Sequence, residues 1–252
     1  MAEQTDFRPF ETDLDRDAAL ERLRAATAGA DDGELFLERR RAETLAFDDG
    51  QLKTASYTTS QGFGMRAVRG ETAGYAHSSE ISGPALARAV ATLRLAVGDG
   101  GGTIAEAPQP TNRRLYGDFN PIEDATFPVK VETLREIDAF ARDLDPRVVQ
   151  VSATIAAGLQ EVEILRPEGH SVRDTRPMTR IGISVIVDDN GRREGGHAGG
   201  GGRIALDRLI ARDHWEGVAR EALRIATVNL KAVPAPAGVM DVVLGPGWPG
   251  IL

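Results

Sequence analysis

Cysteine is absent from all 252 residues, which removes disulfides, thiolate metal ligands and cysteine nucleophiles from this chain while leaving its redox compartment open. Histidine is scarce as well. His77, His170, His197 and His214 are the four, and none stands three or four residues from another. A zinc site needs three protein ligands converging at about 2 Å, two of them commonly delivered by helical spacing such as H-E-x-x-H. Without that spacing each histidine reads as an ordinary strand or turn residue, and no metal site is expected inside the chain. No apolar run approaches the ~20 residues of a membrane helix, and the acidic start MAEQTDFRPFETDLDRD has no signal-peptide core. A cytoplasmic location with no membrane partner is the expectation. Thirty basic against 38 acidic residues leave a net charge of −8 without any basic block, so no nucleic-acid partner is expected. Nucleophile elbows of the G-x-S-x-G type and Walker-type phosphate loops are missing too.

Glycine, by contrast, is abundant at 28 residues, and it clusters. Between the clusters the periodicity alternates between helical and extended. Asp15–Ala28 predicts an amphipathic helix that Gly29 ends. Strands are predicted over Glu34–Arg40, Ala42–Asp48, Gln51–Ser60, Gly62–Arg69 and Thr72–Ser78, with hairpin turns at Asp48-Asp49-Gly50 and Arg69-Gly70. A helix from Gly83 to Val97 follows, with Ser82 as N-cap. The stretch from Gly98 through Pro121 is rich in glycine and proline and reads as a linker. Beyond it the pattern returns: a helix near Val129–Leu144, strands at Val148–Ala157, Gln160–Arg166, Ser171–Arg176, Arg180–Asp188 and Arg192–Ala198, then a helix over Leu206–Lys231. A last strand is expected over Val239–Gly245. Gly62–Ser78 and Ile181–Gly199 share a layout that places His77 and His197 at equivalent positions; a structural role is the leading reading for both, and strand ends facing a shared cleft the alternative. The fold class is therefore α+β: antiparallel β-meanders flanked by helices, from a duplicated helix–meander–helix unit. The domain division is 1–102, a linker at 103–127, and 128–252 leading into a further domain.

The stretch Glu194–Arg203, EGGHAGGGGR, is the most unusual. Glycines weaken a strand, yet they let a second backbone approach closely. Two readings stand: a flexible hairpin arm, or a strand lining a groove where an extended peptide pairs through its main chain. On the second reading Gly199, Gly200, Gly201, Gly202 and Arg203 contact substrate. The acidic pairs Asp31-Asp32, Asp48-Asp49 and Asp188-Asp189 each lie close to a glycine and read as solvated turns.

Three segments resemble one family. They are LFLERRRAETLAFDDGQLKTASYTTSQGFGMRAVRGETAGYAHSSEIS, the Gly201-Gly202-Arg203 arm, and the terminal VVLGPGWPGIL, which is similar to the lead-in to a metal-binding helix. Together they resemble the TldD/PmbA family of metallopeptidases, also called modulators of DNA gyrase, on its TldD side. The resemblance implies a zinc peptidase acting on unfolded or precursor peptides, paired with a PmbA-like paralogous subunit or self-associating. It implies zinc held by two histidines of an H-E-x-x-x-H helix and a distant cysteine, with the motif glutamate as general base. None of those residues is present in this chain, so none is carried over, and the chain alone is expected to be inactive. A non-catalytic peptide-binding or assembly module is the alternative.

Overall fold

Two units, each a helix, three strands and helical cover, build one six-stranded sheet in the computed structural model, which describes residues 7–97, 116–243 and 245. After the single turn α1 (Pro9–Thr12), the first unit runs α2 (Arg16–Ala26), β1 (Asp32–Asp48), β2 (Gln51–Arg69), β3 (Thr72–Ser78) and α3 (Gly83–Val97). The second runs α4 (Phe127–Leu144), β4 (Val148–Leu165), β5 (Ser171–Asp189), β6 (Arg192–Gly202), α5 (Leu206–Ile210) and α6 (Arg212–Asn229). The strand order is β3-β2-β1-β4-β5-β6 and the neighbours are antiparallel, with β1 and β4 joined at the centre. The duplicated α+β layout expected from the sequence is thus observed.

Local chemistry accounts for the element ends. The Asp15 carboxylate accepts a 2.7 Å hydrogen bond from the Ala18 amide, and the Ser82 hydroxyl accepts one of 3.2 Å from Ala85; both are N-caps. In the β1–β2 hairpin, Asp49 and Gly50 both take positive φ, as do Asn190 and Gly191 between β5 and β6. Two consecutive positive φ values match the right-handed twist of the flanking strands.

The strands are longer than expected. Pairs of predicted strands fuse into β1, β2, β4 and β5, and the breaks placed near Arg41, Gln61, Gly158 and Pro177 are absent. The charges at the first break are neutralised by the neighbouring strand: Arg39 and Arg41 both reach Glu161, at 3.0 and 3.2 Å. Pro177 is accommodated because β6 pairs with β5 only from Thr179 onward, leaving an edge that needs no amide donor there. The expected single helix over Leu206–Lys231 is broken at Ala211, whose ψ of 136° is extended. The strand expected from Val239 does not form over Val239–Val243, which is irregular and exposed with no strand beside it among the described residues; Leu244 lies outside them.

One face of the sheet carries the helices over two apolar clusters. Leu35, Leu37, Phe63 and Met65 pack with α2 and α3, joined by Leu165 from β4. Ile155, Ile181 and Ile183 pack with α4, α5 and α6, the last contributing Trp215, and are joined by Leu45 and Phe47 from β1. Between them lies a charged saddle in which Lys130, 1% exposed, pairs with Glu43 and donates 2.6 Å to the Ile122 carbonyl. No helix among the described residues is long and apolar enough to cross a membrane.

Candidate functional site

The glycine-rich stretch is β6, the last strand of the sheet, and among the described residues no strand pairs its outer side. Its inner side pairs Gly199 with Gly182, Gly200 with Ile181, Gly201 with Arg180 and Gly202 with Thr179. Close approach explains several of the glycines. A Cβ on Gly196 would lie 2.0 Å from the Ala222 carbonyl oxygen of α6. One on Gly199 would lie 2.6 Å from the Ile181 oxygen, and one on Gly201 2.1 Å from that of Thr179. Real Cβ atoms do not tolerate such distances, so the strand hugs both β5 and α6 because it is bare. Gly200 is different: its Cβ would meet only the His214 ring at 3.8 Å.

Arg203, just past the strand, is exposed; its guanidinium stacks 4.5 Å from the Tyr116 ring centroid. Tyr116 donates 3.2 Å to Asp174, which also accepts 2.5 Å from Arg176. That hydrogen bond to Asp174 pushes the Arg176 guanidinium above its ordinary value. Arg203 therefore anchors residues 116 onward to the sheet, a role the sequence reading did not foresee.

On the face opposite the helices, β4, β5 and β6 form an open cleft of ≈ 240 Å³ lined by Ser152, Thr154, Ala156, Arg180, Gly182, Ser184 and His197. His197 Nδ1 sits 2.9 Å from the Ser184 hydroxyl. Ser152 donates 2.5 Å and the Gln150 amide 3.0 Å to Asp48 at the cleft's far end. These two bonds, Ser152 first, hold the Asp48 carboxyl below the usual carboxylate range. The sequence reading singled out His197 but missed Arg180, Ser184, Ser152 and Thr154. Their signal was the polar half of a period-two alternation, Ser152-x-Thr154 and Arg180-x-Gly182-x-Ser184.

The remaining histidines do not converge on this cleft. His77 is the sixth residue of β3 and His197 the sixth of β6, so their equivalence holds. Those strands are opposite edges of the sheet, however, so the alternative of a shared cleft is ruled out. His77 instead sits beside Tyr75, with ring centroids 5.7 Å apart. His170 lies in the β4–β5 turn and His214 in the first turn of α6. Among the described residues no group of three or more His, Cys, Asp or Glu side chains is placed to hold a metal ion. The residues present do not fit a zinc ion.

Residues 33–97 match the model of the PmbA/TldA metallopeptidase domain 1, and residues 120–230 that of the PmbA/TldA metallopeptidase central domain. The chain belongs to the PmbA/TldD family. It is 34% identical over 250 residues to a metalloprotease TldD homolog of Buchnera aphidicola (strain APS), a match covering 95% of this chain and 51% of the relative. With the TldD homolog of Haemophilus influenzae it shares 40% identity over 210 residues, covering 80% of this chain and 43% of the relative. The chain thus spans about half the length of these PmbA/TldD relatives. Among solved structures it resembles a Thermotoga maritima protein described as a modulator of a DNA gyrase. That match has a TM-score of 0.68 and 14% identity, and covers 88% of this chain and 50% of that one. TldE from Thermococcus kodakarensis matches with a TM-score of 0.63 and 16% identity over 83% of this chain and 47% of that one. At these identities the structural likeness speaks for the fold alone.

Proposed function

We propose that this chain is the substrate-guiding portion of a TldD-type zinc metallopeptidase that degrades unfolded peptides or trims precursor peptides. The catalytic metal would be held outside the residues present here, and a PmbA-like paralogous subunit or a second copy would complete the assembly. The observation that carries the guiding role is β6: a bare strand whose outer side no strand among the described residues pairs, bordering an open polar cleft. Main-chain pairing to such an edge does not depend on side-chain identity, which suits a peptidase that accepts unfolded chains.

The test is a backbone test. A fluorescent extended peptide of neutral sequence should bind, and the same peptide with alternate amides N-methylated should lose that binding. Equal binding of the two refutes strand addition. A valine scan of the whole glycine run does not answer the question, because Gly201→Val breaks β6 against the Thr179 carbonyl. For the catalytic reading, the chain alone should purify without stoichiometric zinc and without peptidase activity. One tightly held zinc per chain, lost on His197→Ala, refutes that. A non-catalytic binding module predicts the same peptide binding; the coding sequence that follows Leu252 separates the two, since an in-frame H-E-x-x-x-H decides for the peptidase.

A further inference from the structure

The strand registers arrange the open face over β4, β5 and β6 as three rows. Ser152, Ser184 and His197 form one; Thr154, Gly182 and Gly199 the next; Ala156, Arg180 and Gly201 the third. Two of the three middle positions are glycine, so that row is a floor of bare backbone. Four residues of extended chain separate Arg180 from Ser184, about 13 Å along the strand. His197 bridges part of this span: its Cε1 lies 3.3 Å from where a Gly182 Cβ would be, so the ring leans over the glycine floor toward Arg180. Its Nδ1 is engaged by the Ser184 hydroxyl, and its Nε2 has no hydrogen-bond partner among the described residues.

Arg180 differs from the cations near it. Neighbouring cations on the same face are matched: Arg176 to Asp174 at 2.5 Å and Arg193 to Asp188 at 2.8 Å. The exposed Arg180 guanidinium has no hydrogen-bond or ion-pair partner among the described residues. In a chain of net charge −8, a cation left unpaired beside a histidine and three hydroxyls makes a local site for an anion. The residues lining the cleft include no carboxylate, and Asp48 at its far end lies two strands from β5 and is occupied by Ser152 and Gln150.

We propose that the Arg180–His197 cleft binds a carboxylate of an extended peptide paired along the outer side of β6. Arginine supplies the planar fork that suits a carboxylate, and the imidazole a second donor. The bare positions Gly199 and Gly201 give the route: a peptide strand about 4.8 Å outside β6 sends alternate side chains to this face, and nothing on Gly199 blocks their reach to Arg180. The carboxylate can come from an aspartate or glutamate side chain or from the peptide C-terminus. This proposal rests on the peptide-guiding reading of β6.

Three peptides of one backbone separate the sources: a glutamine peptide with a free C-terminal acid, a glutamate peptide ending in an amide, and a glutamine peptide ending in an amide. Binding to the chain, measured by fluorescence anisotropy at fixed ionic strength, should favour at least one carboxylated peptide by about tenfold over the neutral one, the worth of one charge-assisted hydrogen-bond pair. Whichever carboxylate carries the advantage is the source. R180Q should abolish the advantage and leave the neutral peptide unchanged; unaltered thermal melting verifies its fold. Equal binding of all three peptides overturns the proposal, as does an advantage that persists in R180Q. Loss of discrimination on N-methylation is a failure of strand pairing and is read separately. As a measurement independent of peptide pairing, propionate should shift the ring resonances of His197 saturably and leave those of His77 in place; no shift at His197 overturns the proposal.

Discussion

The glycines of β6 are not equivalent, and single substitutions distinguish them. Gly196→Ala puts a methyl 2.0 Å from the Ala222 oxygen and 2.5 Å from the Ala226 nitrogen, both helix backbone that cannot swing aside. We expect a loss of about 2–3 kcal/mol in urea unfolding as α6 is pushed off the sheet. Gly200→Ala meets only the His214 ring at 3.8 Å and should stay within about 1 kcal/mol of the parent, or gain slightly from a stiffer unfolded chain. If both cost the same, the helix–strand contact at Gly196 is not what the glycine serves. Composition alone marked this stretch as exceptional, but which glycine touches helix and which touches strand depends on register and twist. Those are settled by partners far away in sequence. Arg180 illustrates the same limit: as one arginine among many it carried no signal until the partners of its neighbours were known.

At the scale of elements, the alternation of apolar residues and the Asp-Gly turn made the meanders legible, while the joins between predicted strands were not. Charged residues such as Arg39 and Arg41 look like strand breakers until Glu161 is found opposite, more than a hundred residues away. The saddle gives a second case. Lys130, itself buried, holds α4 against β1 through the largely covered Glu43, so Lys130→Met strands a partly buried carboxylate. A cost of about 3–5 kcal/mol is expected, largely recovered in the Lys130→Met, Glu43→Leu double variant; additive losses in that cycle would contradict the pairing. Where β1, β2 and β4 meet, Asp32 and Glu34 receive Arg66 at 2.8 and 3.1 Å and also pair with Arg166. Burial acts to raise the Asp32 pKa, but the two guanidiniums outweigh it and the carboxyl is held below its ordinary value. A depressed carboxylate adds stability that is present above its unfolded pKa of about 3.9 and is lost as the pH falls through the folded value. The melting temperature should therefore hold from pH 7 to about 5 and drop below about pH 4. Asp32→Asn should flatten that acid limb; an unchanged limb would show that these ion pairs contribute nothing.

Across the whole molecule, the central β1–β4 ladder runs from Leu35 opposite Leu165 to Asp48 opposite Ser152, with its middle near Ala42 and Gly158. Each unit also lends apolar side chains to the other: Leu45 and Phe47 go one way and Leu165 the other. The arrangement is the one a homodimer fused end to end would have, with β1 lying antiparallel to its counterpart β4 at the centre. A half-length ancestor carrying only the first unit would have had an open β1 edge and an unfilled core, both satisfied by a second copy of itself. Residues 7–97 expressed alone should accordingly sediment as a dimer, and Arg41→Pro in the middle of β1 should return them to monomers or unfold them. Such a fusion would leave the two halves free to differ, one edge carrying Tyr75 beside His77 and the other the bare strand bordering Arg180.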